Sequence, residues 1–189
     1  MNDSSLCWLR LVTLTAIASA VACSAGADGP EAGLFRWKIA TAVEIDAPPA
    51  RVWEVLVDLP AYQEWNPFIV EAKGRVAEGE TLSLRMALPG WDPMTIEPSL
   101  LVVEPGRELR WKGKLLLPGL FDGEHAFLLT PLDGGRTRLD HVEDFAGLLL
   151  PIARRLIHAK TVESFRALDG ALASRAATRE PLREARTPR

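Results

Sequence analysis

Two histidines and one glutamate form the group of side chains in this sequence that could carry acid–base chemistry. His125 lies in one predicted strand, and His141 and Glu143 lie two positions apart in the next. Residues two apart share a face of a strand, and antiparallel partners face the same way. The apolar residues that alternate with them, Phe127 among these, place all three on the concave side of a sheet. Such a group can transfer protons, bind a metal, hold a polar group of a ligand, or form an ordinary hydrogen-bonded pair at the sheet rim.

The spacing of these residues argues against a metal site or a cofactor. Neither ExxH nor HxxxH occurs on a predicted helix, and no motif ties the remaining histidine, His158, to the pair. The glycine motifs of nucleotide-binding loops and the GxSxG motif of serine hydrolases are also missing from the sequence. We therefore predict no metal and no cofactor, and we assign no residue a catalytic role.

Aromatic side chains on the same faces are the second signal. Trp111 alternates with charged neighbours and is predicted to point inward, as are Met86 and Phe165. Trp65 to Phe68 are predicted to form a loop over a cavity mouth. Broad apolar walls of this kind line small-molecule cavities, although core packing alone also explains each residue. The predicted ligand-binding residues are Trp65, Asn66, Phe68, Met86, Trp111, His125, Phe127, His141, Glu143 and Phe165.

The elements that must position these residues are one strand, a short helix, a run of strands and a long terminal helix. Alternation from Phe35 to Ile45 predicts the first strand, and Pro48-Pro49 begins the short helix. Apolar steps of three and four over 148–177 predict the long helix. The fold class is therefore α+β, a curved antiparallel sheet of about seven strands wrapped around the C-terminal helix. Six strands follow the short helix, at 69–76, 81–88, 94–103, 108–116, 123–131 and 137–145.

Three segments of the chain resemble the START-like, helix-grip superfamily. They are 47–68 (APPARVWEVLVDLPAYQEWNPF), 121–149 (FDGEHAFLLTPLDGGRTRLDHVEDFAGLL) and the helix stretch ESFRALDGALASRA. Within the superfamily, the chain is most similar to the polyketide cyclase/dehydrase and lipid-transport group, and WNPF is the most specific part of the likeness. The resemblance covers roughly 37–177 and implies a ligand cavity between sheet and helix, without naming a reaction.

The first 27 residues resemble an export signal. An uncharged run over 11–22 follows Arg10 and precedes small residues. Cleavage after Ala27 would give a soluble secreted protein. Cleavage before Cys23, within a segment that resembles a lipobox, would leave Cys23 lipidated and the domain anchored to a membrane surface. The departure from that pattern is Ala20, where leucine is usual, and an uncleaved anchor or a miscalled start is the third interpretation.

Length, charge and composition define the remaining organisation. The chain has 189 residues, a formal charge of −3 and 48% apolar residues, which is typical of one globular domain. We predict a signal over 1–27, a spacer over 28–34, a START-like ligand-binding domain over 35–177 and a disordered tail over 178–189. Nucleic acid is excluded as a partner because the basic residues form no cluster. The oligomeric state is left open.

These observations predict a protein that binds or transports a hydrophobic small molecule outside the cytoplasm, in the periplasm or as a membrane-anchored lipoprotein. The ligand would be lipid-like or aromatic and polyketide-like. One alternative is a polyketide cyclase/dehydratase-like enzyme that uses His141 or His125 with Glu143, as some relatives of this fold are enzymes. The other is a structural envelope lipoprotein whose cavity is filled by its own side chains.

Overall fold

A computed structural model describes residues 33–114 and 117–178 of the chain. The predicted signal, the predicted lipidation site at Cys23 and the predicted tail beyond Thr178 lie outside these residues. The helices are α1 (Pro49–Val57), a 3-10 helix (Leu59–Ala61), α2 (Tyr62–Trp65) and α3 (Leu150–Ala177). The strands are β1 (Arg36–Ile45), β2 (Ile69–Lys73), β3 (Ser83–Met86), β4 (Met94–Ile96), β5 (Ser99–Glu104), β6 (Glu108–Lys114), β7 (Asp122–Leu132) and β8 (Arg136–Ala146).

Strand β1 and helix α1 form as the sequence predicts. Trp37, Ile39 and Thr41 alternate inward along β1. Pro48 adopts an extended conformation at the N-cap of α1, and Pro49 occupies the first turn, where a missing N–H group loses no helical hydrogen bond. The phenol of Tyr62 then donates a hydrogen bond of 2.7 Å to the carbonyl of Leu56, which joins α2 to α1.

The strands form two antiparallel sheets. Five strands pair in the order β1-β8-β7-β6-β5, and three pair in the order β2-β3-β4. The predicted strand over 94–103 is interrupted at Pro98, which has no N–H group for the ladder, so the described residues form eight strands instead of about seven. The Pro98 carbonyl accepts a 2.9 Å hydrogen bond from the Leu82 amide, and Thr81 forms a bridge to Ser99. These contacts connect the small sheet to the edge of the large one.

Helix α3 lies across the concave face of the large sheet and closes the core. Its buried face carries Phe165, Leu168 and Leu172, as the period of the sequence predicts, and the helix begins two residues later than predicted. The same buried face also carries Asp169, which the apolar pattern does not indicate. Among the helices described, none is long and apolar enough to span a bilayer. The fold is α+β with a sheet gripping one long helix.

Candidate functional site

An apolar cavity of about 300 Å³ lies between the concave face of the sheets and the first half of α3. This volume is at the lower end of the range for small-molecule sites. The two sheets and the segments that connect their strands contribute Phe68, Met86, Leu88, Trp91, Met94, Ile96, Trp111, Gly113, Lys114, Phe121, Gly123, Glu143 and Phe145. The α3 side contributes Leu149, Ala153, Leu156, Ile157 and Thr161. Most of these side chains are aliphatic or aromatic, so the wall suits an apolar molecule.

Exposed apolar side chains mark the opening of this cavity. Trp91 is 49% exposed, and Met94, Leu149 and Leu156 are also exposed large apolar residues. All four line the cavity. The sequence places Trp91 in an exposed turn, and the structure gives that turn a second role as part of the cavity mouth.

A chain of polar side chains runs from the cavity wall into the core, and we call it the polar chain. It begins at Glu143, whose Oε2 lies 3.5 Å from Nδ1 of His125. The Nε2 atoms of His125 and His141 are 2.7 Å apart, and Nδ1 of His141 lies 2.6 Å from Oδ1 of Asp169. The Thr41 hydroxyl donates a 2.5 Å hydrogen bond to Oδ2 of Asp169. Only Glu143 belongs to the cavity wall, and the other four side chains are buried behind it.

Strand register explains how these five residues meet. His125 on β7 is directly opposite Glu143 on β8, and His141 on β8 is directly opposite Thr41 on β1. All four point to the concave face because inward residues recur every second position. Asp169 reaches them from α3, one helical turn beyond Phe165 on the same buried face.

Burial determines the protonation of the central imidazole. Desolvation lowers the pKa of His141, and this effect outweighs the neighbouring Asp169 carboxylate, which raises it. His141 is therefore neutral near pH 7, and a neutral imidazole has one N–H donor and one acceptor nitrogen. The Asp169 carboxylate needs donors, so His141 Nδ1 carries the hydrogen and Nε2 accepts from His125.

Aromatic rings hold both imidazoles in place. The ring of Phe165 stacks on His141 with centroids 3.9 Å apart and planes 5° apart. Trp111 stacks on His125 with centroids 4.6 Å apart, and Phe127 stacks on His141 at 4.5 Å. These contacts fix the ring orientations and leave little room for the imidazoles to turn toward a ligand.

Acidification is expected to destabilise the protein below pH 6.5, the ordinary histidine value from which the pKa of His141 is lowered. In that range the unfolded chain takes up a proton at His141 that the folded protein excludes. The free energy of unfolding then falls, by at most about 1.4 kcal/mol per pH unit, until the lowered pKa is reached. Urea denaturation between pH 7.5 and 5 measures this. His141→Gln should flatten the profile, whereas equal profiles for wild type and His141→Gln would contradict the assignment.

The structure separates the predicted ligand-binding residues into three groups. Phe68, Met86, Trp111 and Glu143 line the cavity. A second group forms the layer behind the wall, consisting of His125, Phe127, His141 and Phe165. The third group, Trp65 and Asn66, lies outside the lining of this cavity.

Asn66 instead shapes the backbone after α2. Its side-chain oxygen accepts hydrogen bonds from the amides of Phe68 at 3.0 Å and Ile69 at 2.8 Å. Trp65 packs its edge against the Tyr62 ring with centroids 5.1 Å apart. The WNPF segment therefore forms the turn that delivers Phe68 to the cavity. Within the described residues, no group of three or more His, Cys, Asp or Glu side chains is arranged to hold a metal ion.

Two members of the polar chain, Thr41 and Asp169, were not predicted as site residues. The alternation of inward and outward residues along β1 could have indicated Thr41, which follows Trp37 and Ile39 on the inward face. The helical period could have indicated Asp169, which follows Phe165 by four residues. An acidic residue four positions after a buried aromatic residue lies on the same face of a helix. Such an acidic residue on an apolar face indicates a buried hydrogen-bond network.

Comparison with known proteins adds the family. Solved structures with the same fold include an aromatase/cyclase from Streptomyces sp. R1128, with 22% identity, a TM-score of 0.63, and coverage of 75% of this chain and 93% of that one. A START superfamily protein from Mycobacterium smegmatis has 20% identity, a TM-score of 0.60, and coverage of 74% and 96%. Norcoclaurine synthase from Thalictrum flavum has 12% identity, a TM-score of 0.58, and coverage of 75% and 94%.

At these identities the solved structures show the fold alone. No curated protein sequence matches the chain significantly. The family model for polyketide cyclase/dehydrase and lipid transport matches residues 36–177, which include every secondary-structure element described above. The chain therefore belongs to the polyketide cyclase/dehydrase and lipid transport family.

Proposed function

We propose that this protein binds an apolar small molecule in the cavity between sheet and α3 and carries it outside the cytoplasm. The observation that supports this most is the wall itself, which is apolar, opens at exposed Trp91 and Leu156, and contains one partly buried carboxyl group, Glu143. Burial of apolar surface provides affinity at roughly 25 cal/mol per Å². Glu143 provides orientation by contact with a polar group of the ligand.

The enzyme alternative requires a different assignment from the one that the sequence suggests. Among the described residues, the cavity lining includes neither His125 nor His141, so neither imidazole is placed to contact a ligand there. An enzyme built on this site would use Glu143 as its acid–base group, with the imidazoles behind it. Recovery of a bound compound unchanged after incubation supports the carrier, and its conversion by wild type but not by Glu143→Gln supports the enzyme.

The filled-cavity alternative receives less support from the structure. It requires the protein's own side chains to occupy the space between sheet and helix. The described side chains leave about 300 Å³ there, and an apolar space of that size is well suited to a ligand.

Filling the cavity from the helix side tests the proposed site. Ala153 lines the cavity on α3, and Ala159 is exposed on the same helix. Ala153→Phe is expected to weaken binding of the neutral fluorophore N-phenyl-1-naphthylamine roughly tenfold or more, because the added ring occupies the volume the probe needs. Fluorescence titration measures the affinity. Ala159→Phe is the matched control, and an equal effect of the two substitutions would place the probe elsewhere.

The proposed location depends on the N-terminal segment and has its own test. If Cys23 is lipidated, Cys23→Ser in the full chain, expressed in a bacterial host, is expected to move the protein from the membrane fraction to the soluble one or to leave it unprocessed. Cys7→Ser should change nothing, because that residue leaves with the signal. A soluble wild-type protein with its N-terminus at Asp28 would instead establish ordinary secretion.

A further inference from the structure

We propose that the ligand donates a hydrogen bond to Glu143. The cavity would then prefer apolar molecules that bear a hydroxyl or amine N–H over those whose polar group is a carbonyl or ether oxygen. This inference rests on the proposed binding function and specifies the chemistry of the ligand.

The first step is the direction of hydrogen bonding along the polar chain. Asp169 accepts from the Thr41 hydroxyl and faces Nδ1 of His141 at 2.6 Å. With the hydrogen of His141 on Nδ1, its Nε2 has a lone pair and accepts from Nε2–H of His125 at 2.7 Å. Nδ1 of His125 is then left with a lone pair that faces the cavity wall.

The second step concerns the contact between His125 and Glu143. Nδ1 of His125 faces Oε2 of Glu143 at 3.5 Å, which is longer than an ordinary hydrogen bond. The buried imidazole therefore covers Oε2 and keeps a ligand away from that oxygen. Oε1 is the carboxyl oxygen that remains to accept from a ligand.

The third step is the position of Oε1. Gly123 lines the cavity beside Glu143, and a Cβ atom added there would lie only 2.7 Å from Oε1. The absence of a side chain at Gly123 therefore leaves Oε1 accessible from the cavity. A ligand hydroxyl or N–H group can donate to this oxygen, whereas a ligand carbonyl or ether oxygen cannot.

Two further polar residues of the wall do not compete for this role. The Thr161 hydroxyl donates a 2.9 Å hydrogen bond to the Ile157 carbonyl in its own helix. Lys114 is exposed at the end of β6, in register with Asp122 of β7 and on the opposite strand face from Trp111. Lys160, close to the mouth, is bound to the Pro89 carbonyl. Glu143 is thus the carboxyl group that can orient a ligand inside the cavity.

A matched pair of probes tests the inference. 1-Naphthol has a donor hydroxyl, and 1-methoxynaphthalene has the same ring system with an ether oxygen that can only accept. Isothermal titration calorimetry with the purified protein is expected to show that 1-naphthol binds about tenfold more tightly, the usual effect of one hydrogen bond to a charged group.

Substitutions at Glu143 identify the source of the preference. Glu143→Leu is expected to make the two affinities equal. Glu143→Gln should preserve much of the difference, because the amide N–H can donate to His125 while the amide oxygen remains an acceptor. Asp144→Leu is the control, since Asp144 pairs with Lys38 on the outer face of the sheet.

The possible results separate this inference from the function on which it rests. Equal binding of both probes to wild type, or a preference that persists in Glu143→Leu, would overturn the donor assignment and leave apolar binding intact. Failure of both probes to bind would overturn the proposed function, and the donor assignment with it.

Discussion

Replacing Asp169 with alanine is expected to lower the free energy of unfolding by about 2–6 kcal/mol, because it leaves two buried hydrogen-bond donors without an acceptor at about 1–3 kcal/mol each. The substitution leaves the Thr41 hydroxyl and the His141 Nδ1–H group without their acceptor in the core. The polar chain would then lose the anion that sets its direction. Chemical denaturation of wild type and variant measures the difference.

Two further substitutions separate this effect from ordinary helix changes. Glu163→Ala, at an exposed position of the same helix, should alter the free energy of unfolding by less than about 0.5 kcal/mol. Asp169→Asn should be milder than Asp169→Ala, because the amide oxygen can accept from His141 Nδ1–H while the amide N–H group donates to the Thr41 hydroxyl. A loss for Asp169→Ala no greater than that of the exposed control would show that the polar chain does not stabilise the fold.

Replacing Phe165 with alanine is expected to cost about 3–5 kcal/mol of stability, because it removes a fully buried ring and leaves a cavity that the core cannot fill. The ring stacks on His141 and also contacts His125 and Phe68, so its loss would loosen both imidazoles. Thermal unfolding followed by calorimetry measures the cost.

The expected loss of stability arises from the buried position of the Phe165 ring and not from the loss of apolar surface alone. Leu156→Ala is the control, because Leu156 is 59% exposed at the cavity mouth. It should change stability by less than about 0.5 kcal/mol while it weakens probe binding slightly. If Phe165→Ala and Leu156→Ala were equally destabilising, the central packing role assigned to Phe165 would be wrong.

The inward orientation of the histidines could be predicted because strand geometry is periodic. Alternation over two residues places His125 and His141 on the same face as Phe127, and the β7–β8 register confirms this. The helix was predicted for the same kind of reason. Within its 28 residues, Thr161, Phe165, Leu168 and Leu172 are buried at steps of three and four, as the sequence pattern predicts.

Asp169 shows where such reasoning ends. Its hydrogen-bond partner His141 is 28 residues away in the sequence, and Thr41 is 128 residues away. A pattern based on apolar residues treats a carboxylate on a buried face as an exception rather than as a member of a network. Only the packing of α3 against β1 and β8 brings the three side chains together.

The cavity itself could not be derived from the sequence, because it is the space left where sheet and helix fail to meet. Trp91 forms part of its opening and lies in a turn. Turns have no periodic sequence pattern from which the position of a side chain could be predicted. The prediction for Asn66 shows the same limit. Its type suits both a ligand contact and a backbone turn, and the amides of Phe68 and Ile69 determine which of these it forms.

Intermolecular nuclear Overhauser effects between a bound probe and the protein test the central claim most directly. With 1-naphthol bound, the account predicts effects from its ring protons to the Met86 methyl group, the Trp111 indole and the Ile157 methyl groups, which face one another across the cavity. Effects confined to exposed residues away from the cavity, such as Leu34 and Leu101, would contradict it.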